Sequence, residues 1–509
     1  MLQLCDSCAR VAEPVSALPD GGPQAGGHVT SQVRSAGTRR QKLPIRIGSL
    51  LVASCVGLAA AQSNSLPNSG PQGEGISLDD VVQSAERDYP QIHLSQEELN
   101  ATIADIRRAR TAYLPRIDAL LQANRATRNN VFGTLLPQST IPPMSGPVIG
   151  SNNGGSVWGS AAGVLVSWQP FDFGLRHADV QASRAAKDKA DAALSDSQLE
   201  AGAAAADAFL SHVAAQETVR AASAAVENWN TLLKTIHALA AAQLRPGADE
   251  SRIEAELAMA RNQLVYARQA DDESKATLVK FLSSAPANLN LDSKPLLTQL
   301  PPPEEEPEFN TAAHPLMEEQ RAAVAESAAH LHALQRTWVP QFTLEGAASS
   351  RGTGAETDGR RLPGWNGLTP NIQNYAAGFN VNFSFLDFAR IHAEASAQSA
   401  TMRAEQARQQ LIDKELNERF AKATAALTAA REVANNTPIE LKSARMAFDQ
   451  AKARYQAGLT PIDDLAQAQR LLVQAEVDNS IARLSVWRAL LQLNAARGDL
   501  RPFLQAVPR

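Results

Sequence analysis

Three cysteines are the side chains of this 509-residue sequence with the most specific reactivity. Cys5 and Cys8 form a Cys-x-x-Cys pair, but both precede a segment that we interpret below as an export signal, so we expect cleavage to remove them. Cys55 follows Leu-Val-Ala-Ser, which resembles a lipobox, the motif in which the cysteine becomes the lipidated first residue. The alternative is cleavage after Ala61, which would remove Cys55 too. No cysteine follows Ala61, so no disulfide contributes to the stability of the remaining chain.

Two histidines are the strongest candidates for metal ligands. His177 and His392 each follow an aspartate, Asp172 or Asp387, by five residues. A metal site needs ligands that converge on one point, whereas this spacing straddles a predicted bend between a strand and a helix. We therefore predict a structural or interfacial role for both pairs. The sequence also lacks His-Glu-x-x-His, phosphate-loop and Gly-x-Ser-x-Gly motifs, and it predicts no catalytic residue, no metal site and no cofactor.

The segment 1–61 is predicted to be an N-terminal extension and a signal peptide. Basic residues at 39–46 precede an apolar run at 47–60, which ends at an Ala-x-Ala cleavage site. That run is too short for a comfortable transmembrane helix. We expect residues 1–38 to reflect a start codon assigned too far upstream, and residues 62–75 to be a linker. The net charge of −5 gives no basic excess that would indicate nucleic-acid binding.

Strict alternation marks the segment from 374 to 385. One face is small and amide-rich, and the other carries Tyr375, Phe379, Val381, Phe383 and Phe385. A period of two predicts a β-strand, and this contrast of faces is typical of a strand between lipid and a watery lumen.

The same strand-to-helix junction occurs earlier in the chain. Gly163 aligns with Gly378, 215 residues further along the chain, and the two Asp-His pairs are separated by the same 215 residues. We call this separation the repeat offset. This offset predicts an equivalent strand whose Val164, Val166 and Trp168 face lipid too.

The chain is therefore two copies of one unit, at 76–283 and 314–498, joined by a Pro-rich linker at 284–313 and followed by a tail at 499–509. Each copy is predicted to hold two strands and several long helices. Leu441, Phe448 and Tyr455 lie seven residues apart, the spacing of a coiled-coil seam. We expect the long helix of the second copy to run from 390 towards 435 and to resume after Pro438. The predicted fold class is mainly α with a small β part.

Four strands per chain cannot close a membrane barrel, because the observed minimum is about eight. Open strand edges in lipid would leave backbone groups without hydrogen bonds. If the strands span a membrane, several chains must pool them. Three chains would give 12 strands and two would give 8. The helices would then all extend from the same side of the barrel.

The duplicated layout, the Tyr-Leu-Pro and Trp-Val-Pro helix endings at 113–115 and 338–340, and the Phe-Asp-Phe-Gly junction at 171–174 resemble the TolC-type outer-membrane efflux channel family. The resemblance covers about residues 76–498. It implies a homotrimer in the outer membrane, with a shared 12-stranded β-barrel in lipid. It also implies a periplasmic tunnel of long antiparallel coiled-coil helices, a periplasmic adaptor and an inner-membrane pump as partners. The implied function is a passive exit duct of a tripartite efflux or type I secretion system.

The resemblance further implies that helical tips meet the adaptor. The second-copy turn matches the family pattern at Arg454, Tyr455, Gly458, Leu459 and Asp464.

The first-copy turn departs from this pattern. Gly247 is matched to Gly458, which places Ile253 where the second copy has Asp464.

A second class of function also fits the helices and the signal, namely a soluble periplasmic coiled-coil scaffold or adaptor. That alternative leaves two duplicated strand pairs with a lipid-like face unexplained. The transported substrate is not encoded in any motif of the sequence.

Overall fold

A computed structural model describes residues 75–127, 156–242, 247–283, 289–303, 309–354, 356, 360–383 and 385–508. The predicted signal and Cys55 lie outside these ranges. The described residues form helices and strands in the following order: α1 (Leu78–Asp88), α2 (Pro90–Thr111), β1 (Arg116–Thr127), β2 (Ser156–Phe171), α3 (Leu175–Ala241), α4 (Gly247–Val279), α5 (Lys294–Thr298), α6 (Pro315–Gln335), β3 (Gln341–Thr353), β4 (Ile372–Asn382), α7 (Phe388–Gln456), α8 (Ile462–Arg497) and α9 (Arg501–Ala506).

Local sequence signals set many of these boundaries. Ser77 caps α1 through a capping box, since its hydroxyl accepts from the Asp80 amide while the Asp80 carboxylate accepts from the Ser77 amide. Pro90 and Pro315 occupy the first positions of α2 and α6, where the missing amide proton costs nothing. These prolines therefore mark where the helix that precedes the first strand of each copy begins.

The longest helices are α3, with 67 residues, and α7, with 69 residues. Each is on the order of 100 Å long at 1.5 Å per residue. The predicted break near Pro438 is wrong, because α7 continues through this proline. Proline removes one intrahelical hydrogen bond, and packing can offset that loss. Here Ala434 and Thr437 on the adjoining turn are buried, and Ala434 belongs to the core that α7 shares with α3 and α8.

The four strands form one antiparallel sheet in the order β1-β2-β3-β4. Its register places Ile117 beside Val166, Val166 beside Gly346, and Gly346 beside Ala377. Paired residues share a face of the sheet, so this register brings the alternating patterns of all four strands together. Among the described residues, β1 and β4 each pair with one neighbouring strand.

The helices pack side by side in antiparallel hairpins. α3 contacts α2, α4, α6 and α8, and α7 contacts α6 and α8. A large core joins these helices around Trp487, which is fully buried and donates from its indole to the carbonyls of Leu296 and Gln299. The described part of the linker is thus packed against α8, with Arg483 donating to the Leu297 carbonyl as a further tie. No described helix is both long enough and apolar enough to cross a bilayer.

Candidate functional site

The first candidate surface is one face of the sheet, which we call the apolar face. It carries Ile117, Leu121, Val164, Val166, Trp168, Leu344, Tyr375, Phe379 and Val381, and all of these side chains are exposed. Tyr375 is 92% exposed and Phe379 is 59% exposed. Phe383 continues the alternation just beyond β4 and is exposed too, whereas the side chain of Phe385 lies outside the described residues. A soluble surface rarely carries such a contiguous apolar patch, so this face is suited to an apolar environment.

The opposite face of the same sheet is mostly polar or small, and its apolar residues Val157 and Leu165 are buried. The register aligns Arg116, Ser167, Glu345 and Gly378 in one row across the four strands, and Thr343 pairs with Asn380. Such a face is suited to water. The structure therefore reproduces in three dimensions the contrast that the alternating sequence predicts.

Aromatic side chains lie near both ends of the apolar face. At one end Trp158 stacks on Trp365 with 5.8 Å between ring centroids, and the Arg125 guanidinium lies 5.4 Å from the Trp158 ring. Trp168 lies at the other end, ten residues along β2. Ten residues span about 33 Å along a strand, which a tilt of about 40° reduces to about 25 Å, the height of the apolar band of membrane barrels.

The second candidate surface is the turn between α7 and α8. Gly458 has φ = 77°, and its amide donates to the Tyr455 carbonyl at 3.0 Å. The Leu459 amide donates to the Arg454 carbonyl at 2.9 Å. This pair of bonds is a Schellman motif, which needs a left-handed residue at the glycine position. The motif leaves the Leu459 side chain 75% exposed, with Arg454 and Asp464 exposed nearby.

Tyr455 differs in burial from its exposed neighbours in the turn. Its side chain is buried, and its hydroxyl donates to the Asp249 carboxylate of α4 at 3.2 Å. Its ring belongs to a core that joins the two hairpins and includes Trp229, Ile253 and Leu465. Tyr455 therefore holds the two hairpins together within the chain.

Charged side chains continue this link between the hairpins. Arg252 of α4 lies 3.4 Å from Asp463 of α8, and Arg470 of α8 lies 3.3 Å from the buried Glu256 of α4. Three separate contacts thus connect the two hairpins. Their α4 residues, Asp249, Arg252 and Glu256, were not identified by the sequence analysis.

Within the first hairpin, His237 of α3 pairs with Glu250 of α4. The hydrogen bond that the imidazole donates to this carboxylate raises the pKa of His237 above its usual range.

The helix boundaries correct the alignment of the two turns. α3 ends at Ala241 and α7 at Gln456, while α4 begins at Gly247 and α8 at Ile462, so both pairs of boundaries are separated by the repeat offset. Gly247 is thus the equivalent of Ile462 and not of Gly458. It opens α4, and an added Cβ there would meet no atom within 4 Å. The equivalent of Gly458 is position 243, which lies outside the described residues.

The same offset places Asp249 at the equivalent of Asp464, where the sequence comparison had placed Ile253. Ile253 is instead a buried member of the core between the hairpins. Applying the repeat offset through the turn would have identified Asp249 from the sequence.

The aspartate and the histidine of each Asp-His pair have different partners. Asp172 accepts from the Arg176 backbone and side chain at the start of α3, whereas the His177 ring contacts Gln181. His392 stacks on Phe388. Within the described ranges, no group of three or more His, Cys, Asp or Glu side chains is arranged to hold a metal ion.

Comparison with solved structures identifies the fold as that of outer-membrane channels. The Campylobacter jejuni CmeC outer membrane channel superposes with a TM-score of 0.67 at 15% identity, covering 83% of this chain and 85% of CmeC. The open state of the Neisseria gonorrhoeae MtrE outer membrane channel gives 0.65 at 16% identity, with 83% and 89% covered. CusC, described in connection with transmembrane channel formation, gives 0.68 at 11% identity, with 86% and 96% covered.

A family model described as outer membrane efflux protein matches residues 81–284 and 311–499, and the chain belongs to that family. A search of curated proteins finds no match. The resemblance inferred from the sequence is thereby confirmed, and so is the predicted fold class of long paired helices with a small four-stranded sheet.

Proposed function

We propose that this chain is the outer-membrane channel of a tripartite efflux or type I secretion system and acts as a passive, trimeric exit duct. The observation that carries the proposal is the amphipathic sheet of a family member whose relatives are outer-membrane efflux proteins. Its apolar face suits lipid, and its polar face suits a water-filled lumen. The long helices, which leave the sheet through β2 and β4, then extend into the periplasm.

The proposed trimer follows from the free edges of the sheet. β1 and β4 would expose unpaired backbone groups to lipid, where each unsatisfied group costs several kcal/mol. Pairing β4 of one copy with β1 of the next removes both edges. Three copies give 12 strands, an even number within the range of bacterial barrels.

The proposed partners are a periplasmic adaptor and an inner-membrane pump. The Schellman turn presents Leu459 to solvent between Arg454 and Asp464, a combination of an apolar anchor and charges that suits a protein contact. The sequence has no nucleotide-binding motif, so transport energy comes from the pump in this proposal. Neither an enzymatic activity nor a cofactor is part of it.

Membrane attachment at the N-terminus is the remaining part of the proposal. The chain is exported by the signal within residues 1–61 and is either lipidated at Cys55 or cleaved after Ala61. The mass of the mature N-terminal peptide distinguishes the two, because an acylated Cys55 peptide is heavier than its sequence predicts.

Charge placed on each face of β4 tests the proposal. Phe379→Asp together with Phe383→Asp puts two carboxylates on the apolar face, where charge facing lipid is destabilising, by about 2–4 kcal/mol for Lys or Arg at the midplane and by less for Asp. Asn380→Asp puts one carboxylate on the opposite face and is the matched control. The measurement is the mass of the detergent-extracted particle from purified outer membranes. We expect a trimer for the wild type and the control, and loss of the trimer for the double variant.

A monomer released with the periplasmic fraction in the wild type would refute the channel. Equal trimer yields for the double variant and for Asn380→Asp would refute the assignment of the apolar face to lipid.

A separate experiment tests the adaptor contact. Leu459→Asp should leave the trimer mass unchanged, because Leu459 makes little contact within its own chain, and should abolish crosslinking to the adaptor. Undiminished crosslinking would show that the adaptor does not use this turn.

A further inference from the structure

The strand-to-helix junctions of the two copies are packed differently. In the first copy the space beside Tyr113 and Trp168 is filled by Arg176, which is 7% exposed. Its guanidinium lies 4.9 Å from the Tyr113 ring, pairs with Asp172 at 2.7 Å and donates to the carbonyls of Ala112 and Gln169. The Trp168 indole donates to the Tyr113 carbonyl. This junction is therefore closed by the Arg176 guanidinium, whose charge and three nitrogen atoms all have partners.

In the second copy the equivalent of Arg176, at the repeat offset, is Ile391. Asp387, the equivalent of Asp172, pairs instead with Arg390 on the exposed side of the helix. Because isoleucine is shorter than arginine and makes no hydrogen bonds, this junction is not closed by side chains. A groove of about 760 Å³ lies there, lined mainly by Trp338, Phe383, Leu386, Phe388, Ile391 and Ala395.

The position of the groove indicates the chemistry of its occupant. Trp338 and Phe383 are the equivalents of Tyr113 and Trp168. Phe383 continues the alternation of the apolar face just beyond β4, and Trp338 lies in the turn that leads into β3. Leu386 is 89% exposed and Phe388 is 70% exposed at its rim. The groove thus extends the apolar face at the end from which the helices leave the sheet. In the proposed channel, this is the level of the periplasmic leaflet.

We infer that this groove holds an acyl chain of a membrane phospholipid. The inference rests on the proposed function, since it requires the apolar face to lie in lipid. Its lining is aliphatic and aromatic, as an acyl chain requires, while Gln335 and His392 supply polar atoms beside the headgroup region. The closed junction of the first copy holds no such chain, so each protomer binds one lipid at its second junction.

Photolabelling in a defined bilayer tests the inference. The full chain is purified from outer membranes and reconstituted into vesicles of phosphatidylethanolamine and phosphatidylglycerol. The probe is a phosphatidylethanolamine with a diazirine in its acyl tail. After illumination and proteolysis, mass spectrometry locates the labels. We expect labels on residues 383–395 in addition to labels on β4.

Three variants sharpen the test. Ile391→Arg supplies the residue that closes the first junction, where it would compete with Arg390 for Asp387, and should abolish labelling at 383–395 while β4 stays labelled. Ala395→Phe fills the groove without a charge and should give the same loss, so the result does not depend on one variant folding well. Ala393→Arg, an exposed position of α7 outside the groove, adds the same charge and should change nothing.

The outcomes separate this inference from the proposed function. Labels on β4 without labels at 383–395 in the wild type would overturn the lipid site and leave the channel standing. Such a pattern would also result if a second copy or a partner protein covered the groove. Unchanged labelling at 383–395 in both filled variants would overturn the site as well. Labels on neither segment would overturn the membrane assignment of the sheet, and the lipid site with it.

Discussion

Asp196 of α3 gives a quantitative test of packing in the helical region. It is buried beside Glu200 of the same helix and Glu319 of α6, with Arg419 of α7 nearby. Burial, reinforced by repulsion from the two glutamates and opposed by Arg419, raises the pKa of Asp196 to about 6 from its ordinary value of 3.8. At neutral pH the folded protein therefore carries a carboxylate in a position that disfavours its charge.

The cost follows from the shift. A rise from 3.8 to about 6 corresponds to roughly 3 kcal/mol at 1.36 kcal/mol per pKa unit, and partial contact with solvent reduces it to roughly 1–2 kcal/mol. The sign is that of an acid whose pKa is raised on folding. The cost is fully present above pH 6 and is relieved as the pH falls through about 6 towards 3.8, because only the folded state then takes up the proton.

Asp196→Asn removes the charge and keeps the shape. We expect the variant to be more stable than the wild type by roughly 1–2 kcal/mol at about pH 7.5, with the difference shrinking towards about pH 5. Thermal unfolding of the detergent-extracted protein, followed by tryptophan fluorescence, measures both. Asp188→Asn, at an exposed position of the same helix, is the control, and its stability should depend on pH in the same way as that of the wild type. Parallel profiles for Asp196→Asn and the wild type would refute the assigned cost.

Three further substitutions have expected outcomes. Tyr455→Phe removes the bond to Asp249 and should weaken the contact between hairpins by about 1 kcal/mol, measured as faster proteolysis at the tip; an unchanged rate would contradict the link. Gly458→Ala forces a side chain into a left-handed conformation at φ = 77° and should destabilise the turn by about 1–2 kcal/mol, seen as faster proteolysis at the tip. A rate of proteolysis equal to that of the wild type would mean that the turn has another conformation. Trp487→Ala leaves a cavity in the core and should lower the free energy of unfolding by about 3–5 kcal/mol, seen as a large fall in melting temperature. A small fall would mean that the core around Trp487 contributes little to stability.

Periodicity was sufficient to predict the elements of this fold. The period of two in β4 and the seven-residue spacing of Leu441, Phe448 and Tyr455 are local properties of the chain, and each fixes a backbone type. The duplication then placed the junction of the first copy once that of the second copy was recognised. Pro438 shows the limit of this reasoning, because packing against neighbouring helices outweighed its local tendency to end a helix.

The tip shows how local matching can fail. Matching glycine to glycine paired Gly247 with Gly458, whereas the helix ends pair Gly247 with Ile462. The error is physical in origin, since glycine serves a left-handed turn in one place and only opens a helix in the other. The repeat offset, which holds from the second strand of each copy to the tip, was the better guide there, because repeated backbones align even where their residue types diverge.

Apart from the continuation of α7 through Pro438, the sequence by itself therefore determined the main secondary structure, the duplication and the contrasting faces of β2 and β4, because these depend on residues close together in the chain. Tertiary structure alone decided that Tyr455 binds Asp249, that Asp196 is buried among acids, and that Ile391 leaves a groove where Arg176 closes one. Each of these depends on contacts between residues far apart in the sequence. Packing sets the dielectric surroundings, the available volume and the hydrogen-bond partners of a side chain, and the pattern of a single segment contains none of these.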